Sequence, residues 1–264
     1  MGQDCRWVDP KCALVVCRGS KKTDASTLIE NVDRPGSGYM TYRLHNRLGS
    51  GGFVIQATLA AAGIAFDYDP ISSRPNESLG SRLQGLNEWG QVPILELADG
   101  TRITEVAAIL AHLAFAEPAF RSGPTLWVDA MPMYLRWSVF LSVNVYEGVL
   151  RNSYTHRYYS RIQNDGLPDD ADIGIESAIR RAATQRVHQA FECIEKETSQ
   201  YNFLLSDRLS PCDVFLAMLY AWHNQRPDLP KCTWITTQVA THPSIREIWR
   251  QNFHDRLDFK WHEL

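Results

Sequence analysis

Three stretches of the sequence combine residue types and spacings from which chemistry can be built. The first is Gly49-Ser50-Gly51-Gly52, just ahead of an Ala-rich run from Phe53 to Ala62. Within Asn46 to Phe53, Ser50 is the only hydroxyl and there is no cysteine. A hydroxyl at a helix start, beside open amides and the positive end of the dipole, can donate to an anion; it can also do no more than cap the helix. The second stretch is Gln91-Val92-Pro93-Ile94-Leu95, where a proline that cannot donate to a ladder reads as the head of an edge strand. The third runs from Asp99-Gly100 through Thr101-Arg102-Ile103-Thr104 to Glu105-Val106, which sets a carboxylate at a helix start and so complements its dipole.

Other chemistries find little support. His112, His156, His188 and His223 form no pattern such as H-E-x-x-H, so no metal is expected. No pair among Cys5, Cys12, Cys17, Cys193, Cys212 and Cys232 has C-x-x-C spacing, which argues against a disulfide reductase and a zinc site. Six cysteines are also too few for a disulfide scaffold, and a reducing, cytoplasmic setting fits them. The sequon Asn76-Glu77-Ser78 would then be unused. A formal net charge of -3 offers no basic excess for nucleic acid or anionic membranes. The Cys12 to Cys17 run is too short for a signal-peptide core, and no apolar run approaches a membrane span.

The elements that must position these residues can be read from periodicity. Residues 1–38 lack a sustained pattern and read as an extension or linker. Tyr39 to Leu44 is a strand candidate, Phe53 to Ala62 a helix closed by Gly63, and Ile64 to Tyr68 a second strand, giving a parallel β-α-β unit. After the polar stretch Ser72 to Ser81, Val92 to Leu97 and Thr101 to Thr104 flank Asp99-Gly100 as a β-hairpin, and a helix runs from Glu105 to Ala114. Beyond Ser122-Gly123-Pro124 the pattern is helical, with segments near 128–150, 175–198, 211–222 and 243–252 and a turn-rich loop from Gln163 to Asp170. The expected boundaries are 39–118 for the α/β domain and 126–264 for the helical one. At Leu209-Ser210-Pro211-Cys212-Asp213, a cap, a proline at the first helical position and a carboxylate three residues on predict a capping box.

Asn87-Glu88-Trp89-Gly90-Gln91-Val92-Pro93-Ile94-Leu95, followed by Asp99-Gly100 and Ile103-Thr104-Glu105, resembles the N-P-x-G-x-V-P-x-L, D-G and E-S-x-A-I core of glutathione transferases. Phe203 to Val214 is similar to the same family's L-x-G-x-x-x-S-x-A-D signature. The resemblance implies an α/β thioredoxin-like N-terminal domain followed by an all-α C-terminal domain, with glutathione as cosubstrate. It implies a cis Pro93, with the Val92 main chain pairing to the cysteinyl unit of the tripeptide. Gln91 and Glu105 would join that site, Glu105 on the γ-glutamyl ammonium, with the Val106 amide on its carboxylate. Val106 departs from the family's Ser, which removes one hydroxyl contact. The thiol-activating position falls within Gly49 to Gly52, so either Ser50 or backbone amides alone would hold the thiolate.

Between Met131 and Tyr154, aromatic residues at helical spacing, Trp137, Phe140 and Tyr146 among them, read mostly as core. Asn144, Arg151 and Tyr154 are the candidates there for contact with a second substrate. The expected activity is attack of the glutathione thiolate on an electrophilic, apolar small molecule by conjugation, reductive removal or isomerisation, in a homodimer. The alternative is a noncatalytic binding or regulatory member, since fold does not fix function.

Overall fold

A computed structural model describes residues 42–71, 82–128, 130–159, 171–198, 200–223 and 226–253, all within the unit Met40–Leu264. The extension 1–38 with Cys5, Cys12 and Cys17, the stretch 72–81 with its sequon, and the loop 163–170 lie outside the described residues.

Strand β1 (Tyr42–Asn46) leads through α1 (Gly52–Ala62) to β2 (Phe66–Pro70), which pairs parallel to β1 with Leu44 opposite Tyr68. A hairpin follows: β3 (Ile94–Leu97) runs antiparallel to β1, and β4 (Arg102–Thr104) antiparallel to β3, with Ile94 opposite Thr104. The sheet order is β2-β1-β3-β4. Gly100 takes φ 83° in the hairpin turn, and Gly63 takes φ 68° as the left-handed cap that ends α1. Helix α2 (Val106–Ala116) and the single turn α3 (Ala119–Ser122) close the α/β half.

The helical half opens with α4 (Met131–Phe140), which passes without a break into a π-helical turn, Leu141–Tyr146, and then into α5 (Glu147–Ser153). The segment expected near 128–150 is therefore one rod with an altered winding in its middle. A 3-10 turn (Thr155–Arg157), α6 (Ala171–Glu197), α7 (Pro211–Trp222), α8 (Pro230–Thr241) and α9 (Arg246–Phe253) complete it. Among the described residues, no helix is long and apolar enough to cross a membrane. Helix α8 was not anticipated: Thr233, Ile235, Thr236, Thr237, Val239 and Thr241 are β-branched and read poorly as helix, yet Cys232, Ile235 and Val239 are fully buried. Tertiary packing decides the segment.

One apolar core joins both halves, from Leu44, Phe53, Ile55 and Leu110 to Trp137, Val145, Phe191 and Phe215. Every residue of α7 from Pro211 to Ala221 is buried, so this helix is the central post, packed against α1 and α8. Its start is held as expected, with one addition. The Ser210 amide and hydroxyl both donate to Asp213 Oδ2, at 2.8 and 2.6 Å, and the Leu204 amide donates to Asp213 Oδ1 at 2.8 Å. The carboxylate thus ties the preceding loop to the helix as well as capping it.

Candidate functional site

The site is assembled from the N-terminal ends of α1 and α2, the loop before β3, and the rod of the helical half. Glycines set the first of these. A Cβ on Gly52 would collide with the Asn46 side chain, and one on Gly51 would have to push the Tyr146 hydroxyl aside, so the backbone runs unusually close to both side chains here. The first backbone bonds of the turn run from Phe53 to the Ser50 carbonyl (3.0 Å) and from Val54 to that of Gly51 (3.2 Å). The amides of Gly51 and Gly52 precede that ladder and point out of the helix end. Gly51, not Ser50, is the cap residue. Ser50 is buried, and its hydroxyl lies 2.6 Å from both Asn46 Oδ1 and the Arg47 carbonyl, so its single proton is already engaged.

The loop before β3 is braced by Asn87. Its side chain accepts from the Trp89 amide (3.0 Å) and donates to the Gln91 carbonyl (2.8 Å), while its carbonyl accepts from Gly90 (2.8 Å). This local clamp presents Trp89 and Gln91 outward, while Val92 packs against the small cluster of Ile71, Leu83 and Ile94. The Val92–Pro93 peptide that follows is cis.

Glu105 stands immediately before α2 rather than as its first residue, as the cap position, with φ 66° and ψ 120°. Among the described residues it is the one non-glycine with positive φ. Its carbonyl takes the Ile109 amide at 2.9 Å, whereas its carboxylate makes no cap bond. The amides of Val106 and its successors are therefore open.

Two adjoining cavities result. The larger, about 490 Å³, is lined by Arg47, Gly49, Ser50 and Gly51 from the α1 loop, by Trp89 to Val92, and by Tyr146, Val149, Leu150, Ser153, Tyr154, Arg157 and Trp222 from the helical half. The other, about 430 Å³, is lined by Pro93, Thr104, Glu105, Val106, Ser142, Glu147 and Tyr158, among others. Trp89, Gln91, Val92, Tyr146, Leu150 and Arg157 border both, so the two form one cleft. The charges are unequal: the larger cavity is lined by Arg47 and Arg157 and no carboxylate, whereas in the smaller one Arg157 is joined by Glu105 and Glu147.

Of the expected glutathione residues, Gln91 and Val92 lie on the shared wall and Pro93, Glu105 and Val106 in the smaller cavity, while Ser50 lines the larger. Tyr154 also lines the larger one. Asn144 and Arg151 line neither. Asn144 is bonded to the Phe140 carbonyl and to Arg186, and Arg151 pairs with Glu147 at 3.0 Å on the surface beside Tyr158. Residue type selects these three candidates, and type does not fix which face of a helix looks into the cleft. Among the cleft-lining residues of this segment, Tyr146, Leu150, Ser153 and Arg157 are spaced 4, 3 and 4 apart. That stripe was present in the sequence, but nothing there said which face looked inward.

Residues 55–115 match the family model described as the glutathione S-transferase N-terminal domain. The chain has the glutathione S-transferase superfamily fold. A glutathione transferase homologue from Sulfitobacter with bound glutathione matches at a TM-score of 0.66 and 15% identity, over 80% of this chain and 97% of that one. The glutathione S-transferase from Xylella fastidiosa gives 0.64 and 18%, covering 79% and 97%, and Ure2p in complex with glutathione gives 0.63 and 17%, covering 80% and 94%. At these identities the likeness shows the fold alone.

Proposed function

We propose that this glutathione S-transferase-like chain binds glutathione in the smaller cavity and uses its thiolate against an electrophile held in the larger one. The observation that carries the reading is the placement, in one cleft, of the Val92 main chain beside a Glu105 carboxylate that makes no cap bond. An extended tripeptide would pair its cysteinyl backbone with Val92, its γ-glutamyl ammonium with Glu105, and its α-carboxylate with the open amides from Val106 onward. Its sulfur would then lie toward Gly51, beside the larger cavity, where Ser50 or the amides of Gly51 and Gly52 hold the thiolate. In conjugation the sulfur bonds to an electrophilic carbon as the leaving group departs or a proton is taken up; in isomerisation the same sulfur later leaves with its electron pair.

Trp89, Tyr146, Tyr154 and Trp222 suit a planar apolar electrophile, and Arg47 with Arg157 adds a preference for one bearing an anionic substituent. A homodimer in the cytoplasm belongs to the same reading; Val139 and Val143, both more than half exposed, are a candidate contact between copies. Glutathione titrated calorimetrically into wild-type protein and Glu105→Gln tests the site. Heat of binding that weakens about tenfold or more in the variant supports it, and heat that is absent, or indifferent to the change, refutes it.

A second reading, a binding protein without transferase activity, is favoured by one feature: the Ser50 hydroxyl is turned inward onto Asn46 and Arg47. Glutathione binding with no thiol consumption by a panel of electrophiles would support it.

A further inference from the structure

If Ser50 spends its proton inside its own loop, the cleft needs another donor for the sulfur, and the helical half supplies one. We propose that Tyr146 is the hydroxyl that meets the glutathione sulfur, a role that rests on the reading above. Its oxygen lies against the α carbon of Gly51, at the mouth of α1, so close that a methyl there would overlap it and its Cζ would stand 3.2 Å away. Gly51 is thus the cap residue of α1 and the seat of the Tyr146 ring at once.

The ring is fixed and its hydroxyl is idle. Phe215 packs edge-on at 5.9 Å and Trp222 lies tilted at 5.7 Å, which holds the ring from two sides. Other tyrosines donate to protein oxygens: Tyr42 to Glu117, Tyr134 to the Leu110 carbonyl, Tyr158 to Glu147 and Tyr220 to the Pro227 carbonyl. Tyr146 makes no such bond among the described residues, and it borders both cavities. Burial, with Glu105 and Tyr154 nearby, pushes its hydroxyl up to about 12 against the pull of Arg47, so it stays protonated and can only serve as a donor toward an anion.

The π turn Leu141–Tyr146 explains how a helix of the other half delivers it. The extra residue in that turn rotates Tyr146 relative to α4, whose Tyr134 and Trp137 are committed to the core. Electrophile and donor then approach the sulfur from the same side. The thiol proton leaves to solvent, Tyr146 keeps its own, and the O–H to sulfur hydrogen bond stabilises the thiolate together with the Gly51 and Gly52 amides.

The test is a titration of the bound thiol, followed by thiolate ultraviolet absorbance in glutathione-saturated protein, for wild type, Tyr146→Phe, Gly51→Ala and the double variant. Tyr146→Phe should lower the thiolate fraction at neutral pH about tenfold, moving the midpoint up by about one pH unit, while calorimetric affinity for glutathione changes less than about threefold. Gly51→Ala should reproduce the shift by displacing the ring, and the double variant should add nothing to Tyr146→Phe. A midpoint that stays put in Tyr146→Phe, or one that moves in Ser50→Ala alone, overturns the assignment. Wild-type protein that takes up no glutathione sinks the underlying site instead, a distinct result read from the calorimeter.

Discussion

Glu105 holds a backbone conformation that costs a non-glycine residue on the order of 1–3 kcal/mol, and α2 and the hairpin around it keep it there. Its two attributes can be separated by a single change. Glu105→Gly should raise the melting temperature of the free protein, because glycine adopts φ 66° freely, and should at the same time abolish most of the glutathione affinity; thermal melts and calorimetry on one sample check both signs. A carboxylate kept only to cap α2 would give no such opposition. Arg157 makes a second residue-level case. It borders both cavities and stacks 4.2 Å over Tyr154, so Arg157→Ala should reduce kcat/KM about tenfold for an aromatic electrophile bearing a carboxylate and much less for its neutral analogue. Equal losses for the two substrates would remove the charge preference.

Among the elements, α7 is the one whose start can be tested most directly. Asp213 is wholly buried and receives three hydrogen bonds, so Asp213→Ala should destabilise the protein by about 1–3 kcal/mol, measured by denaturant unfolding, without changing the cleft residues. This element was legible from sequence because the signal is local: Ser, Pro and Asp at fixed spacing. The β-α-β unit and the hairpin were legible for a related reason, an alternation bounded by Gly63 and by Asp99-Gly100. The rod from Met131 to Ser153 was found as a helix, but its π turn was not, since nothing in Leu141 to Tyr146 distinguishes that winding from an α turn. Facing is not written in residue type either: Tyr146 packs on the core, as its aromatic spacing suggests, and borders the cleft as well, whereas Asn144 and Arg151 line neither cavity. Ser50 was recognised by type, while the direction of its hydroxyl depends on Asn46, four residues earlier, and on a backbone path that spacing does not record.

For the molecule as a whole, two buried groups near opposite ends of α7 set opposing responses to acid. Burial lowers the pKa of His223 to about 4 from its ordinary 6.5, with His188 and Arg226 adding to the shift. The unfolded chain therefore binds the extra proton first, and the stability from neutral His223 is lost as pH falls through that interval. Burial raises Asp213 to about 6 from 3.8, outweighing its hydrogen bonds, so in that window the folded state holds more protons and gains stability as pH falls. The two slopes offset in part. His223→Phe should leave a protein whose melting temperature falls less than that of wild type between pH 6 and pH 4, and Asp213→Asn one whose acid loss is steeper than wild type; melting curves across that range read both.

The amide of Gly49 donates to the side chain of Asn252 at 2.9 Å, and Phe53 of α1 rests on Trp249 and Phe253 at 5.5 and 4.9 Å between ring centres. Helix α9, some two hundred residues downstream in the chain, is thereby a buttress for the loop at which we propose the sulfur is held. Removing it would not merely shorten the helical half: the α1 mouth would lose its footing, at a place in the sequence far from the cut.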